Sequence, residues 1–221
     1  MKIVVGIPVY DGKLQVQTVA CLMDEKIIAL MNGDDLQIRF LPNCSHAAMG
    51  RNQLAQEFMD SDAERLIFLD ADITFKPGDL VKLAHAKADF VGGCYRYKTE
   101  LEQYPVGWIE GKDLWANESG HLEVRTLPGG FLSLSRKVFD DLKQAYPRPY
   151  EHFGKNYQAW FQMLYSEGHL YGEDSYFCKE WRDLGRQVWL DPELTLTHWD
   201  FNKPYEGHIG NWLKSRLQKA V

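Results

Sequence analysis

Three short β-rich runs, Ile3 to Val9, Leu36 to Leu41 and Arg65 to Leu69, are separated by two stretches whose apolar residues recur at helical spacing. The first stretch carries Val16, Val19, Ala20, Met23, Ile27 and Leu30. In the second, Ser45 is placed to cap a helix whose inner face is Ala47, Arg51, Leu54 and Phe58. Strand and helix in alternation imply parallel pairing, because parallel neighbours need a crossover and the helix supplies it.

Further along, Pro77-Gly78-Asp79 opens a short helix to about His85, and Phe90 to Tyr95 reads as another strand. Tyr104 to Trp108 and His121 to Arg125 are expected strands around the turn-rich stretch Glu110 to Gly120. Pro128 to Leu134 is a glycine-led strand, followed by a helix from Arg136 to about Ala145. The ring-rich segment Pro147 to Tyr171 lacks periodicity and reads as a mobile or substrate-facing loop with one short helix. Gly172 to Leu184 is helical, with Phe177, Trp181 and Leu184 on one stripe and Gly185 as its C-terminal cap. Gln187 to Leu190 is a last strand, and Gly210 to Val221 a basic amphipathic helix.

With 221 residues, 45% hydrophobic and 25% charged, the chain matches a soluble globular protein with one core. A net charge of -6 provides no uniform electrostatic footprint for nucleic acid or anionic membrane. No apolar run reaches bilayer-spanning length, and the strand-like Met1 to Pro8 is broken too soon for a signal peptide, so a cytoplasmic location is expected. Cys21, Cys44, Cys94 and Cys178 are scattered without metal or redox spacing and read as reduced thiols.

Four motifs carry chemistry. Asp70-Ala71-Asp72 ends the third strand. In an extended chain, residues i and i+2 share a face, which would set two carboxylates together at the mouth of the sheet. Such a pair calls for a cation between them, Mg²⁺ or Mn²⁺, carrying a substrate's phosphates; the plainer account is a solvated turn. Arg51 lies on the inward stripe of its helix and needs an anion, for which a nucleotide's phosphates would serve. Glu173 and Asp174 begin a helix after Gly172, either as simple partners of the helix dipole or as a carboxylate able to deprotonate a hydroxyl. His198, just beyond the last strand, is a candidate metal ligand and ranks above His208, which sits in a glycine-flanked loop.

In order, these motifs resemble the GT-A class of nucleotide-sugar glycosyltransferases. The resemblance runs from Val4 to Gly12 through Arg51-Asn52, Phe68 to Asp72, Pro128 to Phe131, Gly172 to Gly185 and Val188 to Pro192, ending at His198. The stretch Glu173 to Trp181 is similar to mannan-polymerase-type members and their small bacterial and phage relatives. The implied fold is a three-layer α/β/α domain with a mixed, mostly parallel central sheet. It would span 1–221, with 1–95 the nucleotide-binding half and 96–221 the acceptor-binding half.

The same resemblance implies that Pro8, Val9, Tyr10 and Asp11 hold base and ribose, that Arg51 approaches the diphosphate, and that Ala71, Gly129 and Gly130 line the donor site. Asp72 would bind Mn²⁺ or Mg²⁺ directly, Asp70 the ribose or a metal-bound water, and His198 would complete the metal site. Asp174, or else Glu173, would be the base of an inverting transfer from a UDP- or GDP-sugar to a hydroxyl acceptor, a glycan. The chain departs from many relatives at Trp199-Asp200, where they place a glycine after the histidine.

Two other readings compete. Asp70-Ala71-Asp72-Ile73-Thr74 also resembles the first motif of haloacid-dehalogenase-type phosphatases, with Asp70 as nucleophile. A non-catalytic nucleotide-sugar binding module would keep Arg51 and Asp72 but need no acid at the acceptor side. A hydroxylated base in phage-type DNA is the lesser acceptor alternative, disfavoured by the negative charge.

Overall fold

The computed structural model describes residues 1–166 and 168–217. In chain order the elements are β1 (Lys2–Val9), α1 (Val16–Met31), β2 (Asp35–Pro42), α2 (Ala47–Met59), β3 (Arg65–Leu69), β4 (Ile73–Thr74) and α3 (Asp79–Ala84). There follow β5 (Phe90–Gly92), β6 (Leu122–Val124), β7 (Phe131–Ser135) and α4 (Arg136–Ala145). The chain continues with β8 (Pro149–His152), β9 (Lys155–Gln158), β10 (Leu164–Ser166), β11 (His169–Tyr171) and α5 (Glu173–Asp183). It ends with β12 (Val188–Leu190), β13 (Leu196–Asp200), β14 (Lys203–Gly207) and α6 (Ile209–Leu217).

The main sheet has seven strands in the order β2-β1-β3-β7-β5-β12-β6. Strands β2, β1, β3, β5 and β12 run one way, while β7 and β6 run against them. The period-2 alternation of each strand feeds two cores, one on each face. Ile3, Val5, Ile7, Ile67 and Leu69 pack under α1 and α3 with Leu22, Leu80 and Leu83. Val4, Leu66, Phe68, Leu132 and Leu134 pack under α2, α4 and α5 with Leu54, Phe58, Phe139 and Trp181. The outcome is the expected three-layer α/β/α arrangement with a mixed, mostly parallel sheet.

Several local expectations change. The second helix begins at Ala47 with His46 at its N-cap and no side-chain cap, so Ser45 does not fill that role. The strand expected over Tyr104 to Trp108 is reduced to a bridge between Gly107 and Thr126. Strand β5 stops at Gly92, leaving Gly93 to Tyr95 outside it. Pro147 to Tyr171 contains two hairpins, β8–β9 and β10–β11, in place of a loop with a helix. Phe153 (φ 49°) and Gly154 (φ 72°) both take left-handed conformations at the first turn, the geometry a two-residue hairpin connection requires. Of the final expected helix, Ile209–Leu217 forms α6, and 218–221 lie outside the described residues.

The apolar residues of α1 form their stripe, but facing outward. Val16, Met23, Ile27 and Leu30 are exposed, whereas Thr18, Leu22, Glu25 and Ala29 are buried. Hydrogen bonding selects this face. The Thr18 hydroxyl donates to the Ile73 carbonyl (3.0 Å), and the Glu25 carboxylate accepts the N–H groups of Gly78 and Val81 at the start of α3. Among the described residues no helix is long and apolar enough to cross a membrane, and the four cysteines are free.

Candidate active site

The C-terminal edge of the parallel strands opens onto a cavity of about 920 Å³. Its walls come from the ends of β1 and β3, the segment after β5, the turn before β7, and the first turns of α2 and α5. Six carboxylates (Asp11, Asp70, Asp72, Glu173, Asp174, Asp200) face three cations (Lys13, Arg51, Lys98). A phosphate-bearing ligand entering such walls needs a cation to offset their negative charge.

Arg51 lies on the inner face of α2 and is only 3% exposed. Its Nη2 donates to Asp70 Oδ1 (2.8 Å) and its Nη1 to Glu173 Oε1 (2.6 Å). Burial alone would lower the guanidinium's pKa, but the charges of Asp70 and Glu173 reverse this and raise it. The inward arginine meets the anion it demands, and that anion belongs to the chain itself. Each terminal nitrogen gives one N–H to a carboxylate, and Nε has no hydrogen-bond partner among the described residues.

The Gly129-Gly130 pair makes room for this network. A Cβ at Gly129 would lie 2.7 Å from Arg51 Cζ, and one at Gly130 would lie 2.7 Å from Tyr95 Oη and closer still to the Asp70 carboxylate. The Gly130 carbonyl accepts the Asp70 N–H (3.0 Å), which holds the glycine turn against the end of β3. Asn52, next to Arg51, points the other way: its side-chain amide exchanges two hydrogen bonds with the Phe161 backbone (2.8 and 2.7 Å) and ties the segment after β9 to α2.

Asp70 and Asp72 are not on one face. The chain leaves β3 at Leu69 and turns, with the Ile73 N–H donating to the Asp70 carbonyl (3.1 Å). Asp70 faces Arg51 and the Tyr95 hydroxyl (3.3 Å), whereas Asp72 faces Lys98 Nζ (2.6 Å) and His198 Nε2 (3.4 Å). The register of a small sheet, β14-β13-β4, brings His198 to this position by pairing it with Ile73. Trp199 secures that register, its backbone N–H bonding the Asp72 carbonyl (2.9 Å) and its indole the Thr74 hydroxyl (3.0 Å). A glycine there would lack the second bond. His208 instead accepts the Asn211 N–H and caps α6.

Asp72 and His198 fit a divalent cation. The Nδ1 of His198 lies 3.0 Å from the Arg96 carbonyl. A carbonyl only accepts, so Nδ1 carries the proton, and in the neutral ring Nε2 turns a lone pair toward the Asp72 carboxylate. Two electron-rich groups facing each other in this way would serve as two of a divalent cation's ligands. Burial raises the Asp72 pKa, but the Lys98 and His198 side chains that face it outweigh burial and hold the carboxyl below its ordinary value. Among the described residues no His, Cys, Asp and Glu side chains form a cluster of three ready for a metal, because Asp70 is turned to Arg51.

The remaining expected residues divide. Pro8, Tyr10, Asp11, Ala71 and Gly129 line the cavity. Tyr10 is largely exposed at its mouth, and Asp11 accepts the backbone N–H and ammonium of Lys13 (both 3.1 Å). Val9, by contrast, is buried in the α1-side core and contributes no side chain to the site. Asp174 Oδ2 accepts the Gly129 N–H (3.2 Å) and Oδ1 the Ser175 N–H (2.6 Å), while Glu173 is held by Arg51. Two participants, Tyr95 and Lys98, escaped the sequence reading. Burial, then the Asp70 charge, pushes the Tyr95 phenol well above its ordinary pKa and keeps it a donor. The available signal was the polar run Tyr95-Arg96-Tyr97-Lys98 directly after a parallel strand, where ligand crevices lie.

No family profile and no curated protein matches the sequence. Solved structures do. GalNAc-T7, crystallised with UDP, GalNAc and Mn²⁺, superposes with a TM-score of 0.52 at 15% identity, covering 89% of this chain and 43% of that one. TarS of S. aureus (residues 1–349) follows with a TM-score of 0.47 at 14% identity, covering 86% and 58%. The inositol-1-phosphate CTP transferase of T. maritima has a TM-score of 0.45 at 11% identity, covering 90% and 89%. The chain spans less than half the length of the GalNAc-T7 chain. The fold is of the GT-A type.

Proposed function

We propose that the chain is a metal-dependent glycosyltransferase that moves a sugar from a UDP- or GDP-sugar to a hydroxyl acceptor, a glycan. The observation that carries this reading is the Asp72–His198 pair, 3.4 Å apart, whose Asp72 lines a cavity that also holds the Glu173–Asp174 helix start. Asp72 and His198 would hold Mn²⁺ or Mg²⁺, which supplies charge stabilisation to a departing diphosphate. Pro8, Tyr10 and Asp11 line the side where base and ribose would lie.

In the transfer, the acceptor hydroxyl oxygen bonds to the anomeric carbon, the bond from that carbon to the diphosphate oxygen breaks, and the hydroxyl proton passes to a carboxylate. Asp174 is the proposed base, because among the described residues it meets only neutral backbone N–H groups whereas the Glu173 carboxylate is paired with the Arg51 cation. Arg51 acts through its partners, fixing Asp70 on one side of the cavity and Glu173 on the other. The phosphatase alternative needs Asp70 as a free nucleophile, whereas here it is paired with a buried guanidinium. Asp174 in the cavity wall favours a transferase over a binding module.

A thermal-shift screen of nucleotide sugars with and without Mn²⁺ tests the reading, since selective binding stabilises the native state by mass action. The expected result is stabilisation by either a UDP- or a GDP-sugar, dependent on Mn²⁺, with slow release of free sugar. No stabilisation by any donor, together with release of phosphate from simple esters, would overturn it.

A further inference from the structure

We propose that Lys98 is the exchangeable cation of this site: it neutralises Asp72 before the donor arrives and passes to the donor's diphosphate once a divalent metal takes that carboxylate. The inference rests on the donor site proposed above. Lys98 Nζ lies 2.6 Å from Asp72 Oδ2, the same oxygen that His198 Nε2 approaches to 3.4 Å. The ammonium therefore sits at the atom a metal would use, supplying the positive charge that the carboxylate and the imidazole lone pair require.

The other cations of the cavity are unsuited to this role. Arg51 is buried with both terminal nitrogens engaged. Lys13 projects into solvent, its side chain 82% exposed, beside Asp11. Lys98 is intermediate, 31% exposed, on a flexible stem but a fixed backbone. Arg96 Nη2 staples the bend by donating to the Thr99 (2.8 Å) and Glu100 (3.1 Å) carbonyls, and Tyr97 N–H donates to the Gln103 carbonyl (2.9 Å). The side chain can swing without the loop unfolding. With a dication held by Asp72, the Lys98 ammonium would be repelled from that oxygen and would be free to pair with a diphosphate entering the cavity.

The test is calorimetric and needs no turnover. Mn²⁺ alone, and UDP and GDP each in saturating Mn²⁺, are titrated into the full chain and into Lys98→Met, with Lys98→Gln as the alternative should the methionine variant not fold. Removing the ammonium should tighten Mn²⁺ binding and weaken binding of the preferred nucleotide, each by about tenfold, the worth of one charge-assisted hydrogen bond at a half-exposed site. Lys98→Arg should retain nucleotide binding. If the wild type binds Mn²⁺ and a nucleotide but the variant fails to shift both in these opposite directions, the exchange is wrong while the donor site stands. If the wild type binds neither, the donor site itself is wrong.

Discussion

Arg51 and Glu173 stand 122 residues apart in the chain and 2.6 Å apart in space. Through the second arm of its guanidinium, 2.8 Å from Asp70, Arg51 joins the end of β3 to the first turn of α5. The two sides of the cavity, one facing the proposed donor and one the proposed acceptor, are thereby fixed relative to each other by a single buried residue.

Arg51→Ala leaves Asp70 and Glu173 facing each other without their counter-ion. Breaking a buried pair in this way costs about 3 kcal/mol, and the loss should appear as a lower urea midpoint with an unchanged slope. Arg51→Lys should recover only part of it, because one ammonium does not reproduce a two-armed fork. A midpoint unchanged in Arg51→Ala would remove the network from any structural role.

Gly130→Ala drives a methyl group against the Asp70 carboxylate and the Tyr95 hydroxyl. Displacing them should destabilise the fold by about 1 to 3 kcal/mol and reduce donor binding together with it. Calorimetric melting paired with nucleotide titration would reveal both; a fully stable, fully binding variant would contradict the close packing described.

Asp72→Ala removes the carboxylate that faces Lys98 and His198 while leaving Arg51 and Asp70 untouched. Sugar release from the donor should fall by about a thousandfold, or ~4 kcal/mol of transition-state stabilisation, with the melting behaviour of a folded protein. Near-wild-type rates in Mn²⁺-replete buffer would count decisively against the proposed metal role.

Glu25 offers a pH signature independent of catalysis. Burial lifts its carboxyl above the ordinary 4.5, against the opposing N–H donors of Gly78 and Val81, and Asp79 adds to the lift. The folded chain thus holds this proton more tightly than the unfolded chain. Its stabilising contribution is complete below pH 4.5 and is lost as pH rises through the elevated value. The stability of the wild type relative to Glu25→Gln should decline from pH 4 toward neutrality in urea titrations, because unfolding releases the proton that burial holds on Glu25. A flat difference across this range would contradict the shift.

What the sequence determined by itself is the local grammar: the β-α-β-α-β opening, the acidic motif at the end of β3, the helix that begins at Glu173, and its stop at Gly185, whose φ of 74° suits a glycine cap. These features rest on periodicity and turn chemistry, which neighbouring residues settle among themselves. Tertiary structure alone decided that Arg51 meets Asp70 and Glu173, that Lys98 meets Asp72, and that α1 turns Thr18 and Glu25 inward and its apolar stripe outward. It also decided the hairpins of β8 to β11, whose strands of three or four residues are too short to display an alternation. The reason is that an ion pair or a buried hydrogen bond depends on where distant segments are brought by topology, and helical spacing is the same whichever side of the helix the core lies on.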